Sequence, residues 1–300
     1  MKKYRIYQID AFTTERFTGN PAGVVPDAVG LSDAQMQSIA RELNNSETAF
    51  ILQPSAPDHE VWIRFFTPVI EVPSCGHATI SAHYVRALEK GLPSCTVVQK
   101  IGIGILPVEI IRLESDYQVV MTQGEVEFSP PFAGKERSGI IAALGLKEDD
   151  LDKRCPVQVV STGHSKVLVG IMQRSVLNSL KPDLARLAGI STQTGCNGYY
   201  VFTFDSEADD VLAHGRMFAP AIGIAEDPVT GNANGPLGAY VVRRGLVRTD
   251  GKVFRFRARQ GEAMGRPGTV EVEVVIQDSN PVRVRVGGRA VVAFRTEIEV

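Results

Sequence analysis

Two segments half a chain apart carry the same pattern, and this duplication constrains the fold more than any other feature. In a chain of 300 residues, Arg64-Phe65-Phe66-Thr67-Pro68 and Arg216-Met217-Phe218-Ala219-Pro220 both read R-x-F-x-P. Each is followed by a turn of small residues, Cys75-Gly76-His77-Ala78 and Thr230-Gly231-Asn232-Ala233. Apolar residues at helical spacing come next: Ile80, Tyr84, Val85 and Leu88 in the first half, Leu237, Tyr240 and Val241 in the second, with Gly91 and Gly245 as stops. Each half therefore offers a strand, a turn and a buried helix.

The remaining segments fill in the same scheme. Ser32 to Leu43 is amphipathic, with Ser32 placed to cap its first turn, and Pro182 to Ala188 echoes it faintly. Thr48–Leu52 and Tyr199–Thr203 are matching strands. Val61–Phe65, Val157–Val160, Val167–Val169, Val270–Val274 and Val282–Val286 alternate or run apolar as strands do. A strand-rich half with one long apolar helix points to an α/β (α+β) chain in which a curved antiparallel or mixed sheet wraps that helix in each half, and not to a doubly wound parallel sheet. The expected lobes are 1–122, with 289–300 returning to it, and 123–288, meeting near a turn at Pro130-Pro131.

Thirty-two basic against 34 acidic residues leave a net charge of −2 without basic runs, so neither nucleic acid nor an acidic membrane is an expected partner. The alternating start, Tyr4 to Asp10, reads as a strand and not as a signal peptide, and no apolar run reaches membrane-spanning length. Cys75, Cys95, Cys155 and Cys196 lie far apart with no C-x-x-C, which fits a reducing, cytoplasmic setting. The sequon at Asn44-Asn45-Ser46 is then a chance match.

A helix that starts at a glycine turn presents free N–H groups and the positive end of its dipole, a place for an anion. Two such starts, packed face to face, would clamp a carboxylate or a developing enolate. Polar residues gather there: His77 in the first turn, Asn232 in the second, with Glu226 and Asp227 just upstream. Glu47, at the mouth of an apolar strand, has no carboxylate counterpart in Gly195-Cys196-Asn197-Gly198. A partly desolvated carboxylate there suits proton transfer. Cys75 at a helix start invites thiolate chemistry, but a two-thiol racemase needs a second cysteine where this chain has Thr230. No dinucleotide or phosphate loop and no H-E-x-x-H is present, and His77 and His83 fall on different helix faces, so no metal and no cofactor are expected.

Taken in order, Asp10-Ala11-Phe12, Gly19-Asn20-Pro21-Ala22-Gly23, Ser46-Glu47-Thr48-Ala49-Phe50, Phe66-Thr67-Pro68 with Gly76-His77-Ala78-Thr79, and Glu226-Asp227-Pro228-Val229-Thr230-Gly231 resemble the PhzF-like family, of the diaminopimelate epimerase-like fold, along the whole chain. The resemblance implies two similar α/β domains, each a barrel-like mixed sheet around a central helix, with an active site between them and a homodimer. It maps the family's catalytic glutamate, histidine and aspartate onto Glu47, His77 and Asp227, and implies substrate contacts at Asn20, Cys75, Gly76, Thr230, Gly231 and Asn232. Phenazine-making members have Ser where this chain has Asn232 and Ala where it has Cys75. The expected activity is a cofactor-independent isomerisation of a small carboxylic acid, with Glu47 as general acid and base. The alternatives are an amino-acid racemase or epimerase using Cys75, or a binding protein that has lost chemistry.

Overall fold

The computed structural model describes residues 2–196 and 198–300; Asn197, in the segment opposite Glu47 in the repeat, lies outside the described residues. By its internal contacts the chain forms two units, Met1–Thr122 with Gly287–Val300, and Gln123–Val286.

The first unit contains β1 (Lys3–Ala11), β2 (Asn20–Val25), α1 (Asp33–Leu43), β3 (Thr48–Leu52), β4 (Val61–Phe66), β5 (Glu71–Val72), α2 (Gly76–Lys90), β6 (Cys95–Ile101), β7 (Gly104–Arg112) and β8 (Tyr117–Thr122). Starting from β1, antiparallel pairing to β2 is followed by parallel pairing to β3, antiparallel to β4 and parallel to β6. The path continues antiparallel through β7 to β8. The chain's final strand, Asn280–Glu299, pairs with both β8 and β1, so the sheet closes into a barrel. Inside runs α2, whose buried residues from His77 to Ala87 cover nearly its whole circumference, as a helix enclosed by strands requires. Leu88 departs from the expected apolar stripe: it lies in the last turn and is exposed. On the outside, α1 packs Met36, Ile39 and Ala40 onto Tyr4, Ile6, Val25, Phe50 and Phe66. Burying side chains of this size contributes about 1.5–3 kcal/mol each. Ser32 caps α1 through a capping box with Gln35, and Asn44, in the left-handed region, ends it.

The second unit contains β9 (Val126–Pro131), α3 (Gly134–Ala143), β10 (Gln158–Thr162), β11 (Ser165–Ile171), α4 (Arg174–Ser179), α5 (Leu184–Thr194), β12 (Tyr199–Thr203), β13 (Val211–Ala219), β14 (Ile224–Asp227), α6 (Gly231–Arg243), β15 (Val253–Gln260), β16 (Gly268–Gln277) and β17 (Asn280–Glu299), the last shared with the first unit. Pairing directions repeat: β10 to β11 antiparallel, β11 to β12 parallel, β12 to β13 antiparallel, β13 to β15 parallel and β15 to β16 antiparallel. Asp278 and Ser279, both at positive φ, turn β16 into β17 in the two-residue manner that suits strand twist. The central helix is α6, buried from Ala233 to Val241. Pro130 and Pro131 do not form a turn; they end β9, which pairs antiparallel with β10. Proline is tolerated where a strand can spare a ladder N–H.

The duplicated R-x-F-x-P has a structural cause. Arg64 donates from Nε and Nη2 to Glu71 at 2.8 and 2.7 Å, and Arg216 does the same to Glu226 at 2.8 and 2.7 Å. Each guanidinium lies over the phenylalanine two residues on, 5.1 Å from the Phe66 ring centre and 5.0 Å from that of Phe218. The motif thus ties β4 to β5 and β13 to β14, the strands that lead into α2 and α6. No helix among the described residues is long and apolar enough to cross a membrane.

Candidate active site

Glu47 is held from both sides. Before it, the side-chain amides of Asn45 and Gln8 exchange hydrogen bonds at 2.8 and 2.9 Å, at the point where the register of β1 slips against β17. The Glu47 carbonyl accepts from Gly23 N–H at 3.3 Å. That approach needs a glycine: a Cβ at position 23 would meet Leu43 Cδ1 and Thr48 Oγ1 at 2.7 Å.

So fixed, Glu47 Oε2 lies 3.4 Å from Nε2 of His77, with only 13 and 8 % of the two side chains exposed. Ser46 Oγ is 3.2 Å from the same nitrogen, and Cys75 Sγ is 3.4 Å from Nδ1. Both ring nitrogens therefore face polar partners. Cys75 occupies the N-cap of α2 without a side-chain cap bond, and the first helical amide bonded back to it is that of Thr79. The N–H groups of Gly76 and His77 thus stand at the positive end of the dipole, beside Glu47 and His77. Asn20, fully buried, starts β2 opposite Ala11.

The repeat-related place in the second unit is a polar knot. Asp227 ends β14, and its Oδ2 accepts from the Thr230 hydroxyl. Gln260, at the end of β15, donates to the Asp227 carbonyl at 2.7 Å and to Thr230 Oγ1 at 3.0 Å, while its Oε1 accepts from Thr230 N–H at 3.1 Å. Asn234 donates to the Thr230 carbonyl at 2.9 Å and accepts from the Tyr200 hydroxyl at 2.6 Å. Gln123 donates to Asn232 Oδ1 at 3.0 Å and to the Gly231 carbonyl at 3.3 Å, and is held by Thr162 at 2.7 Å. Lys166 is buried nearby, its ammonium pushed down to about 8 by burial, an effect that Asp227 and Cys196 partly offset.

Of the residues chosen from sequence, Glu47, Cys75 and His77 come together, as do Asp227, Thr230 and Gly231. Both oxygens of Glu226, by contrast, accept from Arg216. Sequence reading missed Ser46 as a partner of His77, although it lies in the quoted motif. Gln260, Gln123, Asn234 and Lys166 were missed as well. Asn234 stands four residues after Thr230 on the same helix, a spacing that could have found it; no spacing links Gln260, Gln123 or Lys166 to that turn.

The model of the phenazine biosynthesis-like (PhzC-PhzF) proteins matches residues 9–296. This chain belongs to that family. A relative in Clostridium acetobutylicum, an uncharacterized isomerase, is 54 % identical over 99 % of both chains. The uncharacterized isomerase YddE of Escherichia coli is 48 % identical over 98 % of both. Among solved structures, the PhzF-family phenazine biosynthesis protein of Bacillus anthracis superposes with a TM-score of 0.90 at 30 % identity, covering 100 % of each chain. The family places the chain among isomerases.

Proposed function

We propose that this isomerase moves a proton between carbons of a small carboxylic acid without an organic cofactor, and that Glu47 carries the proton. The observation behind this reading is Glu47 Oε2 at 3.4 Å from His77 Nε2 beside the uncapped start of α2. The substrate carries a carbon–carbon double bond beside the C–H to be cleaved; the Glu47 carboxylate takes that proton, and the electron pair left behind delocalises over the double bond and onto the oxygens of the acid group. The Gly76 and His77 amides are donors for that charge, aided by the helix dipole. The protonated Glu47 then returns the proton to another carbon, so nothing is gained or lost overall. His77 keeps the carboxylate aimed, and a catalytic part for Asp227, whose carboxylate holds the Thr230 hydroxyl, belongs to the same proposal. Action in the cytosol as a homodimer belongs to the same proposal, the dimer being open to sedimentation velocity.

The test is hydrogen exchange in D2O on a panel of small cyclic and amino acids. A Glu47→Gln enzyme keeps the shape but not the carrier, and should lose about 10²–10⁴-fold in exchange and turnover. Undiminished turnover in that enzyme would refute the role.

A second reading, epimerisation by a thiol, is favoured by Cys75 Sγ at 3.4 Å from His77 Nδ1, since an imidazole can take a thiol proton. Thr230, the counterpart of Cys75 in the sequence repeat, has its hydroxyl bound to Asp227. Exchange at Cα that survives in Glu47→Gln and disappears in Cys75→Ser would favour this reading over the first.

A further inference from the structure

Glu47, Cys75 and His77 each offer one atom able to bind a metal, and these atoms all lie within 4.8 Å of one another. The carboxylate comes from the loop residue just before β3, whereas the thiol and imidazole come from the N-cap and first turn of α2. A tetrahedral zinc ion with ordinary bond lengths holds its ligand atoms about 3.3–3.6 Å apart. Here Glu47 Oε2 is 3.4 Å and Cys75 Sγ 4.0 Å from His77 Nε2. The sulfur now lies nearer Nδ1, at 3.4 Å, so one face of the tetrahedron is completed by turning the imidazole and the Cys75 side chain until Nε2 points between Sγ and Glu47 Oε2, all three atoms being already within 4.8 Å of one another. The fourth corner falls to water or to an oxygen of the substrate.

We propose that this triad is an inhibitory site for a thiophilic divalent cation, Zn2+, bound by Glu47 Oε2, Cys75 Sγ and His77 Nε2. The ligand chemistry decides the ion: a thiolate and an imidazole with one carboxylate suit zinc, whereas magnesium and calcium take oxygen shells. On binding, the Cys75 thiol gives its proton to solvent and the sulfur donates its electron pair to the metal; no redox change occurs. With Glu47 and His77 engaged by the ion, proton transfer stops, and chelation restores it. This consequence rests on the proton-carrier reading above, but the site itself does not. Sequence reading set His77 aside as a ligand because its histidine neighbour, His83, faces elsewhere; the partners are a cysteine two residues before it and a glutamate from a distant strand.

Co2+ is the probe, because a thiolate bound to it gives a near-ultraviolet charge-transfer band and a tetrahedral site gives intense visible bands. One equivalent per chain should produce both, and Zn2+ should bleach them. Cys75→Ser should abolish the charge-transfer band, and Glu47→Gln and His77→Gln should each weaken Co2+ binding at least about tenfold. Circular dichroism checks that the variants fold. A band that survives in Cys75→Ser places the metal on Cys95, Cys155 or Cys196 and overturns the proposal, as does unchanged affinity in the other two variants or the absence of any band. Should Zn2+ bind as described while turnover is untouched, the inhibitory role and the proton-carrier reading both fail and only the binding site stands. Should nothing bind, the site fails and that reading is unaffected.

Discussion

Arg216 and Glu226 form a two-pronged pair in the interior of the second unit, with side chains 8 and 16 % exposed, and Arg64 and Glu71 form its counterpart in the first. Arg216 goes further than its twin. Its Nη1 also donates to the carbonyls of Leu177 and Leu180, both at 3.0 Å, at the end of α4. One guanidinium thereby satisfies a carboxylate and an open helix end.

Replacing Arg216 by Ala should destabilise the protein by about 3–5 kcal/mol, because a buried carboxylate and two carbonyls lose their donor. Arg216→Lys should recover only part of this, since an ammonium cannot fork. Urea midpoints would measure both, and a shift no larger than for a surface arginine such as Arg255 would contradict the assignment.

His83 makes acid stability a test of the α2 interior. Burial pushes its imidazole from the ordinary 6.5 down to about 4; the bond to Gln99 at 2.9 Å opposes this, and the charge of Arg86 adds to it. The unfolded chain takes up the proton at the ordinary value, while the folded chain refuses it until much lower pH. Stability is therefore lost as pH falls from about 6.5 to about 4, by roughly 3 kcal/mol in total. His83→Gln should flatten that acid limb relative to the natural protein, whatever its offset at neutral pH.

Lys166 gives the opposite window. Folded, its ammonium deprotonates at about 8 against an ordinary 10.5, so below that the fold carries a buried charge. The penalty is roughly 3 kcal/mol below pH 8 and fades as pH rises to about 10.5. Lys166→Met should accordingly stabilise the protein at pH 7 by about 2–3 kcal/mol, and the advantage should vanish in alkali. Thermal unfolding at pH 7 and pH 10.5 would check it.

At Gly235 a methyl group would collide with the amide head of Gln123, which steadies Gly231 and Asn232. Gly235→Ala should cost about 1–3 kcal/mol of stability. It should also lower turnover by an order of magnitude, as sub-ångström misplacement does. A mutant of full activity would show that the start of α6 needs no such support.

What the sequence disclosed and what it withheld follow from range. The repeat, the two central helices and the caps at Ser32 and Gly91 rest on neighbours a few residues apart, where periodicity and turn chemistry speak directly. Glu47, His77 and Asp227 lie in ordered motifs. By contrast, Gln260 reaches Thr230, Gln123 reaches Gly231, and Lys166 meets the field of Asp227 only once the strands have paired. Glu226, beside Asp227 in sequence, points to Arg216 because successive residues on a strand face opposite ways. Pro130-Pro131 misled for a related reason: a proline pair signals a turn unless a strand has an unused edge.

The closing strand of the first barrel comes from Gly287–Val300, whereas the second unit is one continuous stretch. During synthesis the earlier-translated unit must therefore wait, its seam between β1 and β8 open, until Gly287–Val300 has emerged from the ribosome. A nascent polypeptide halted before that point would carry a finished second unit and an unfinished first one, exposing two strand edges to whatever chaperone or neighbour arrives first.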